Sequence, residues 1–182
     1  MKPEPTVSLR EDYEFFDLLI PGVNSTRLYM LTMYSIVRSN EYKRLVELGT
    51  FLGNTTAVLA RAAELNDGYV WTVDDLRDGT QDRAMDHIAK LGLSHRVKFI
   101  EGPSWDSNFV DQVDFVFVDA EHTETALALD WLAWAPKVRK GGVIAFHDAC
   151  GMRWTENFNE PGWQHVLFPG DSGLLIARKN DQ

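Results

Sequence analysis

Residues 45–56 read LVELGTFLGNTT, and the order of residue types in this stretch decides how the surrounding chain folds. Leu45, Val46 and Leu48 suit a short buried strand. Gly49 and Gly53 stand four apart in a turn, and Asn54, Thr55 and Thr56 offer capping oxygens to the helix-forming run AVLARAAEL. Strand, glycine turn and helix therefore follow one another. In an α/β domain the carboxyl end of such a strand faces a ligand crevice, and a turn lacking Cβ atoms lets a small molecule approach the backbone closely.

Outward from this stretch the same unit repeats. The runs YVWTVD, RVKFIEG, VDFVFVD and GVIAFHD read as strands, with helices expected near Gln81 to Leu91 and from about Thr123 to Val138. Alternation at this pace implies a parallel sheet wound by helices on both faces, a three-layer α/β domain. WQHVLF and LLIARK flank PGDSG and read as a terminal antiparallel hairpin, which brings the sheet to seven strands. Residues 1–40 read as an N-terminal helical cover, because RLYMLTMYSIV has apolar residues at helical spacing and Ser25 or Thr26 can cap it. Residues 41–182 form the core. The chain is read as one domain over 1–182, for which 182 residues and 45% hydrophobic content suffice.

Bulk charge narrows the partners. A formal net charge of −9 repels phosphate backbones, so the expected partners are small molecules or a second copy of this chain rather than nucleic acid. Cys150 is the single cysteine, which excludes an intrachain disulfide and suits a reducing cytoplasm. The opening residues lack the basic start and apolar run of a signal peptide, and no segment approaches the roughly 20 apolar residues of a membrane helix.

The glycine turn excludes two phosphate cradles. A dinucleotide fingerprint needs glycines where Phe51 and Asn54 stand, and a P-loop needs a Gly-Lys-Ser/Thr run that is absent. The second strand instead ends in Asp74, 25 residues after Gly49, where a carboxylate can accept hydrogen bonds from both ribose hydroxyls. The combination suits a nucleoside without a pyrophosphate. In a plainer alternative Gly49 and Gly53 serve only strand-to-helix packing, and Asp74 caps the next element.

These stretches together resemble the class I S-adenosylmethionine-dependent methyltransferases, over residues 25–178, with a Rossmann-like fold whose final hairpin inserts a reversed strand at the sheet edge. The resemblance implies that Gly49 and Gly53 lie near the methionine portion of the cofactor, that Glu47 supports them, and that Asp74 holds the ribose. IEGPSWD is similar to the adenine-side turn of small-molecule O-methyltransferases, implying Gly102, Ser104 and Trp105 beside the adenine. Where many relatives place an Asp, this chain has Pro103, so adenine recognition would rest on backbone groups and Ser104.

The fourth strand runs VDFVFVDAEHT and the fifth ends AFHD, and parallel neighbours share their carboxyl ends. Asp119, His122, His147 and Asp148 are therefore expected on one crevice edge. This resembles a cation-dependent O-methyltransferase branch, which implies Asp119 beside the cofactor and as a metal ligand, His122 as general base, and Asp148 as a further ligand. His147 stands where that branch has an acid; as a third ligand it would move the preference from magnesium toward manganese, iron or zinc. The implied activity is transfer of a methyl group to a hydroxyl of a small molecule, with magnesium or manganese. Two rivals remain: a metal-independent N- or C-methyltransferase, and a non-catalytic S-adenosylmethionine-binding protein. DAEH lacks the Pro-Pro-aromatic run of amide methyltransferases, which favours oxygen chemistry. Trp131 and Trp134 read as a buried helix face, while Trp154, Phe158 and Trp163 read either as core or as an aromatic box and lid over the crevice.

Overall fold

The computed structural model describes residues 15–16, 26–170 and 172–181, with side chains of 26–28 excepted, so the expected caps at Ser25 and Thr26 lie outside the described residues. The described elements are α1 (Thr26–Ser39), β1 (Arg44–Leu48), α2 (Asn54–Leu65), β2 (Tyr69–Asp74), α3 (Gln81–Lys90), β3 (Val97–Glu101), β4 (Val113–Val118), α4 (Glu124–Trp134), β5 (Val138–His147), α5 (Arg153–Glu156), β6 (Trp163–Phe168) and β7 (Leu174–Lys179). One seven-stranded sheet has the order β3-β2-β1-β4-β5-β7-β6. The first five strands in this order are mutually parallel, whereas β7 runs antiparallel to β5 and pairs with β6 as a hairpin. The order reverses at β1, which places a ligand crevice at the carboxyl ends of β1 and β4.

Side-chain alternation along the strands divides the core into two layers. On one face Leu45, Val70, Phe115, Phe117 and Ala145 pack beneath Met30, Met33 and Val37 of α1, Ala57 to Ala60 of α2, and Ile88 of α3. On the other, Val46, Leu48, Val116, Val118, Ile144 and Phe146 meet Leu127 and Trp134 of α4. The three-layer α/β arrangement expected from the sequence is the observed one.

Two boundaries differ from expectation. The helix after β4 ends at Trp134 rather than Val138, and β5 begins at Val138, four residues before the GVIAFHD run. Gly141, at φ 73°, and a register shift opposite Val113 and Phe115 let the lower half of β5 bulge and still pair. At α2 the cap position is Gly53, which has no side chain to cap with, and Thr56 turns its hydroxyl inward to Glu47.

The amino end of the sheet is tied by one carboxylate. Asp114, 6% exposed, accepts from the backbone N–H groups of Lys43 and Arg44 at 2.8 Å each and from Arg139 Nε at 2.5 Å. Burial opposes its charge, but these donors outweigh burial and hold the carboxyl below its ordinary value. A depressed native pKa adds stability that is present above the unfolded value and lost as pH falls through the native one. Asp114→Ala should therefore lower stability by about 2 to 4 kcal/mol at neutral pH, since three donors lose their acceptor. It should also flatten the acid limb of a chemical-denaturation series between pH 5 and 3.

Candidate active site

The crevice is built from the tips of β1, β2 and β4. At the end of β1 the chain turns at Gly49, φ 94°, where a Cβ would stand 2.2 Å from the carbonyl oxygen of Asp119. Only glycine fits. Gly49 N–H donates to Val73 O and Asp119 N–H donates to Leu48 O, both at 2.8 Å, so the three strand tips are joined by backbone hydrogen bonds. Gly53, at φ 78°, faces α3 instead: a Cβ there would meet Ala84 at 3.3 Å. It packs against that helix and is not among the residues lining the cavity.

Asp74 organises the turn before it can hold a ligand. Its Oδ2 accepts from Thr50 N–H at 2.8 Å and Phe51 N–H at 3.2 Å, and its Oδ1 accepts from Leu76 N–H at 2.8 Å. A carboxylate offers about four acceptor sites, so about one remains for a ligand hydroxyl rather than the two expected from sequence. Beneath the turn lies Glu47, 1% exposed, which accepts from Thr72 Oγ1 at 2.7 Å and from Thr56 Oγ1. Thr50 Oγ1 meets Thr72 Oγ1 at 2.6 Å and extends this chain of hydroxyls to the turn itself. Burial pushes the Glu47 carboxyl up to about 8, the two hydroxyls only partly offset this, and the charges of Asp119 and Asp74 add to it.

A cavity of about 730 Å³ opens over these groups, and Gly49, Asp74, Gly102, Ser104, Trp105, Asp119 and His122 are among its lining residues. Arg77, Asp75, Asp78 and Glu121 also line it and were not singled out from sequence. The signal was present in the charged loop DDLRD after β2, but such runs are usually solvated faces. Glu47 and Gly53 support the cavity wall from outside it.

At the β4 and β5 tips, ligand atoms of Asp119, His122 and Asp148 all lie within 4.8 Å of one another. His122, half exposed at the entry to α4, brings Nδ1 to 2.9 Å from Asp148 Oδ2. Thr123 caps α4 by accepting from Ala126 N–H at 3.2 Å, which fixes where the preceding residue leaves the strand. His147 is not in this cluster. Its Nδ1 donates to Asp119 Oδ1 at 3.0 Å and lies 3.4 Å from Asp148 Oδ2, while its ring packs edge-on against Tyr29. Burial opposes a charge on His147, but Asp119 and Asp148 outweigh it and hold the imidazole above its ordinary value. His147, expected as a third ligand, thus touches both carboxylates through Nδ1, while the cluster of ligand atoms found among the described residues contains His122.

The aromatic box is filled by the protein. Trp131 is the hub: Trp154, Phe158 and Trp163 lie 5.4, 5.2 and 4.9 Å from it, and Phe146 packs on Trp154 at 5.4 Å. Trp154 also borders a second, shallower depression with Glu124, Arg153 and Asn157.

Comparisons with known proteins give the family and the fold. A family model described as a methyltransferase domain matches residues 46–149, from β1 to just beyond Asp148, and the chain belongs to that family. Caffeoyl-CoA O-methyltransferase 2 of Petunia hybrida is 28% identical over 128 residues, which cover 66% of this chain and 51% of that protein. The chain thus spans about half the length of the plant relative it matches. Among solved structures, the SAH-bound methyltransferase of Podospora anserina superposes with a TM-score of 0.70 at 19% identity, covering 94% of this chain and 87% of that one. The O-methyltransferase from Bacillus cereus in complex with SAH superposes at 0.67 and 19% identity, covering 94% and 90%. These likenesses show a shared fold.

Glu47 generates a prediction with a defined sign. Its native pKa of about 8 exceeds the unfolded value of 4.5, so the fold favours the neutral acid; stability is full below pH 4.5 and declines as pH rises toward 8. Glu47→Gln keeps an acceptor for Thr56 and Thr72 without the ionisation. The variant should gain stability over the wild type as pH rises from 5 to 8, by on the order of a few kcal/mol at the upper end. A stability difference that does not change with pH would remove Glu47 as a neutral buried acid.

Proposed function

We propose that this chain is an S-adenosylmethionine-dependent methyltransferase that transfers the cofactor's methyl group to a hydroxyl of a small molecule, with a divalent cation at the β4 and β5 tips. The observation that carries the reading is the convergence of Asp119, His122 and Asp148 beside a nucleoside-sized cavity with Gly49, Asp74 and Ser104 in its walls. The caffeoyl-CoA O-methyltransferase name of the plant relative and the SAH held by two structural neighbours support it. In this reading Gly49 admits the methionine portion, Asp74 accepts from the ribose, and Gly102, Ser104 and Trp105 face the adenine. Gly53 and Glu47 hold the turn.

The donor set suits a hard to borderline cation. Asp119 and Asp148 would supply carboxylate oxygens, the ligand type that magnesium and manganese both accept, and His122 stands beside them with a nitrogen left for proton transfer. When bound, such an ion lowers the pKa of the acceptor hydroxyl. The rest falls to the chain's own residues. Asp148 orients His122 through Nδ1, leaving Nε2 to accept the acceptor's proton as its oxygen attacks the methyl carbon and the carbon–sulfur bond breaks. His147 holds Asp119 in place. The 2.9 Å contact between His122 and Asp148 also favours a second reading, in which this pair acts as a metal-free base. Partners would be the acceptor and a second copy of the chain, in the cytoplasm.

His122→Ala should lower S-adenosylhomocysteine release, assayed with a panel of phenolic and sugar acceptors, by about 10² to 10⁴ while leaving cofactor affinity near wild type. Chelation should abolish turnover, and manganese or magnesium should restore it. Undiminished turnover in chelator would select the metal-free pair. Failure of the wild type to bind S-adenosylhomocysteine in calorimetry would overturn the reading as a whole.

A further inference from the structure

Residues 122–124 border two recesses. His122 lines the large cavity, and Glu124 lines the second depression, of about 500 Å³, together with Arg153, Trp154 and Asn157. Glu124 follows His122 by two residues, so their backbones stand within about 7 Å of each other. Arg153 in turn follows Asp148 by five residues. The depression is therefore tied along the chain to both sides of the proposed place of methyl transfer, and the proposed chemistry leaves it unused.

The two recesses differ in charge. In the depression Glu124 accepts from Arg153 N–H at 2.5 Å and, through its other oxygen, from Trp154 N–H at 3.3 Å, so both of its oxygens are committed to the main chain. The Arg153 guanidinium is exposed and has no ion-pair partner among the described residues. Trp154 forms a rigid wall beside it, because Trp131, Phe146 and Phe158 pack on its ring at 5.4, 5.4 and 5.3 Å. The large cavity is lined by Asp75, Asp78, Asp119 and Glu121, and its Arg77 is paired with Asp75. An anion is thus repelled by the first recess and attracted by the second.

We propose that this depression receives the far end of the methyl acceptor, and that the acceptor is a ring compound bearing an anionic group, a carboxylate or a phosphate, which pairs with Arg153 while the ring lies against Trp154. A guanidinium presents a planar fork of donors that matches either oxyanion. The inference rests on the reading of Asp119, His122 and Asp148 as the place of transfer and adds the substrate class. Arg153 then orients the acceptor: with the anion drawn to one side of His122, the hydroxyl is left on the other, at the carboxylate cluster.

The test reads binding apart from turnover. Calorimetry on the full chain saturated with S-adenosylhomocysteine, in chelator so that no cation takes the anion, compares meta-hydroxybenzoate, meta-hydroxycinnamate and meta-hydroxyphenyl phosphate with the amides of the two carboxylic acids. An anionic compound should bind about fivefold more tightly than its neutral counterpart, the scale of an exposed ion pair. Salt should shrink that ratio, and the larger of the carboxylate and phosphate ratios identifies the group. Arg153→Gln should bring the ratio near one without changing S-adenosylhomocysteine affinity, and Arg153→Lys should restore part of it. With S-adenosylmethionine and magnesium the best-bound anion should be methylated, and Arg153→Gln should raise its KM while leaving kcat. Equal or absent binding of anions and amides, a full ratio in Arg153→Gln, or a bound anion that is never methylated overturns the proposal and leaves the cofactor reading standing. A chain that does not bind S-adenosylhomocysteine overturns the reading on which the proposal rests.

Discussion

The site depends on a close approach of two backbones. Where β1 ends, Gly49 sits against the carbonyl of Asp119 so tightly that a methyl group would have nowhere to go. That approach brings the end of β4 alongside the turn that opens the crevice, and the Leu48 to Asp119 backbone hydrogen bond holds it there. Main-chain geometry therefore fixes where Asp119 enters the cavity, and the His147 contact fixes its side chain. From it follow the placement of His147 behind, hydrogen-bonded to Asp119, and of Asp148 beside His122. A larger residue at position 49 would separate the two strand tips and, with them, the cavity wall that Gly49 and Asp119 share.

Around this junction the site is reinforced by groups that never reach the cavity. Glu47 gathers Thr56 from α2 and Thr72 from β2, and Thr50 joins the turn to Thr72. Each hydroxyl is buried or nearly so, and each is paired, so the turn is held by a satisfied polar network rather than by apolar packing. A satisfied network fixes geometry in a way that apolar contact does not, because hydrogen bonds constrain direction as well as distance. Asp74 adds a second set of ties at the lip of the same turn. Asp114 performs the corresponding task at the opposite end of the sheet.

The sheet and its winding were legible because period-two apolar runs and glycine turns act locally. LVELG, YVWTVD and VDFVFVD could be placed as strands without any knowledge of their neighbours. The lower half of β5 was not legible, since VRKG carries charges on a strand that a bulge and the partner β4 accommodate. For the site, residues at strand ends were found because parallel strands must deliver their last side chains to one edge. What sequence could not supply was direction. His147 and His122 are equally good ligands by type, and only the orientation at the end of β5 turns the first behind Asp119. Trp154, Phe158 and Trp163 looked open for the same reason, until Trp131 was seen to fill the space among them. Asp130 was invisible as a polar group of interest because one acid within ALALDWLAW looks like the solvent edge of a helix, yet it is buried.

The two imidazoles at the sheet edge illustrate how one residue type is divided between tasks by its surroundings. His147 has most of its surface covered, with Tyr29 and Phe117 around its ring and two carboxylates at its Nδ1. Burial opposes a charge on its ring, but those carboxylates outweigh burial and hold the imidazole above its ordinary value, with Nδ1 as a donor to the acids it touches. His122 has one carboxylate contact and half its surface in solvent. Asp148 thus stands between a covered imidazole and an open one, 3.4 Å from His147 Nδ1 and 2.9 Å from His122 Nδ1.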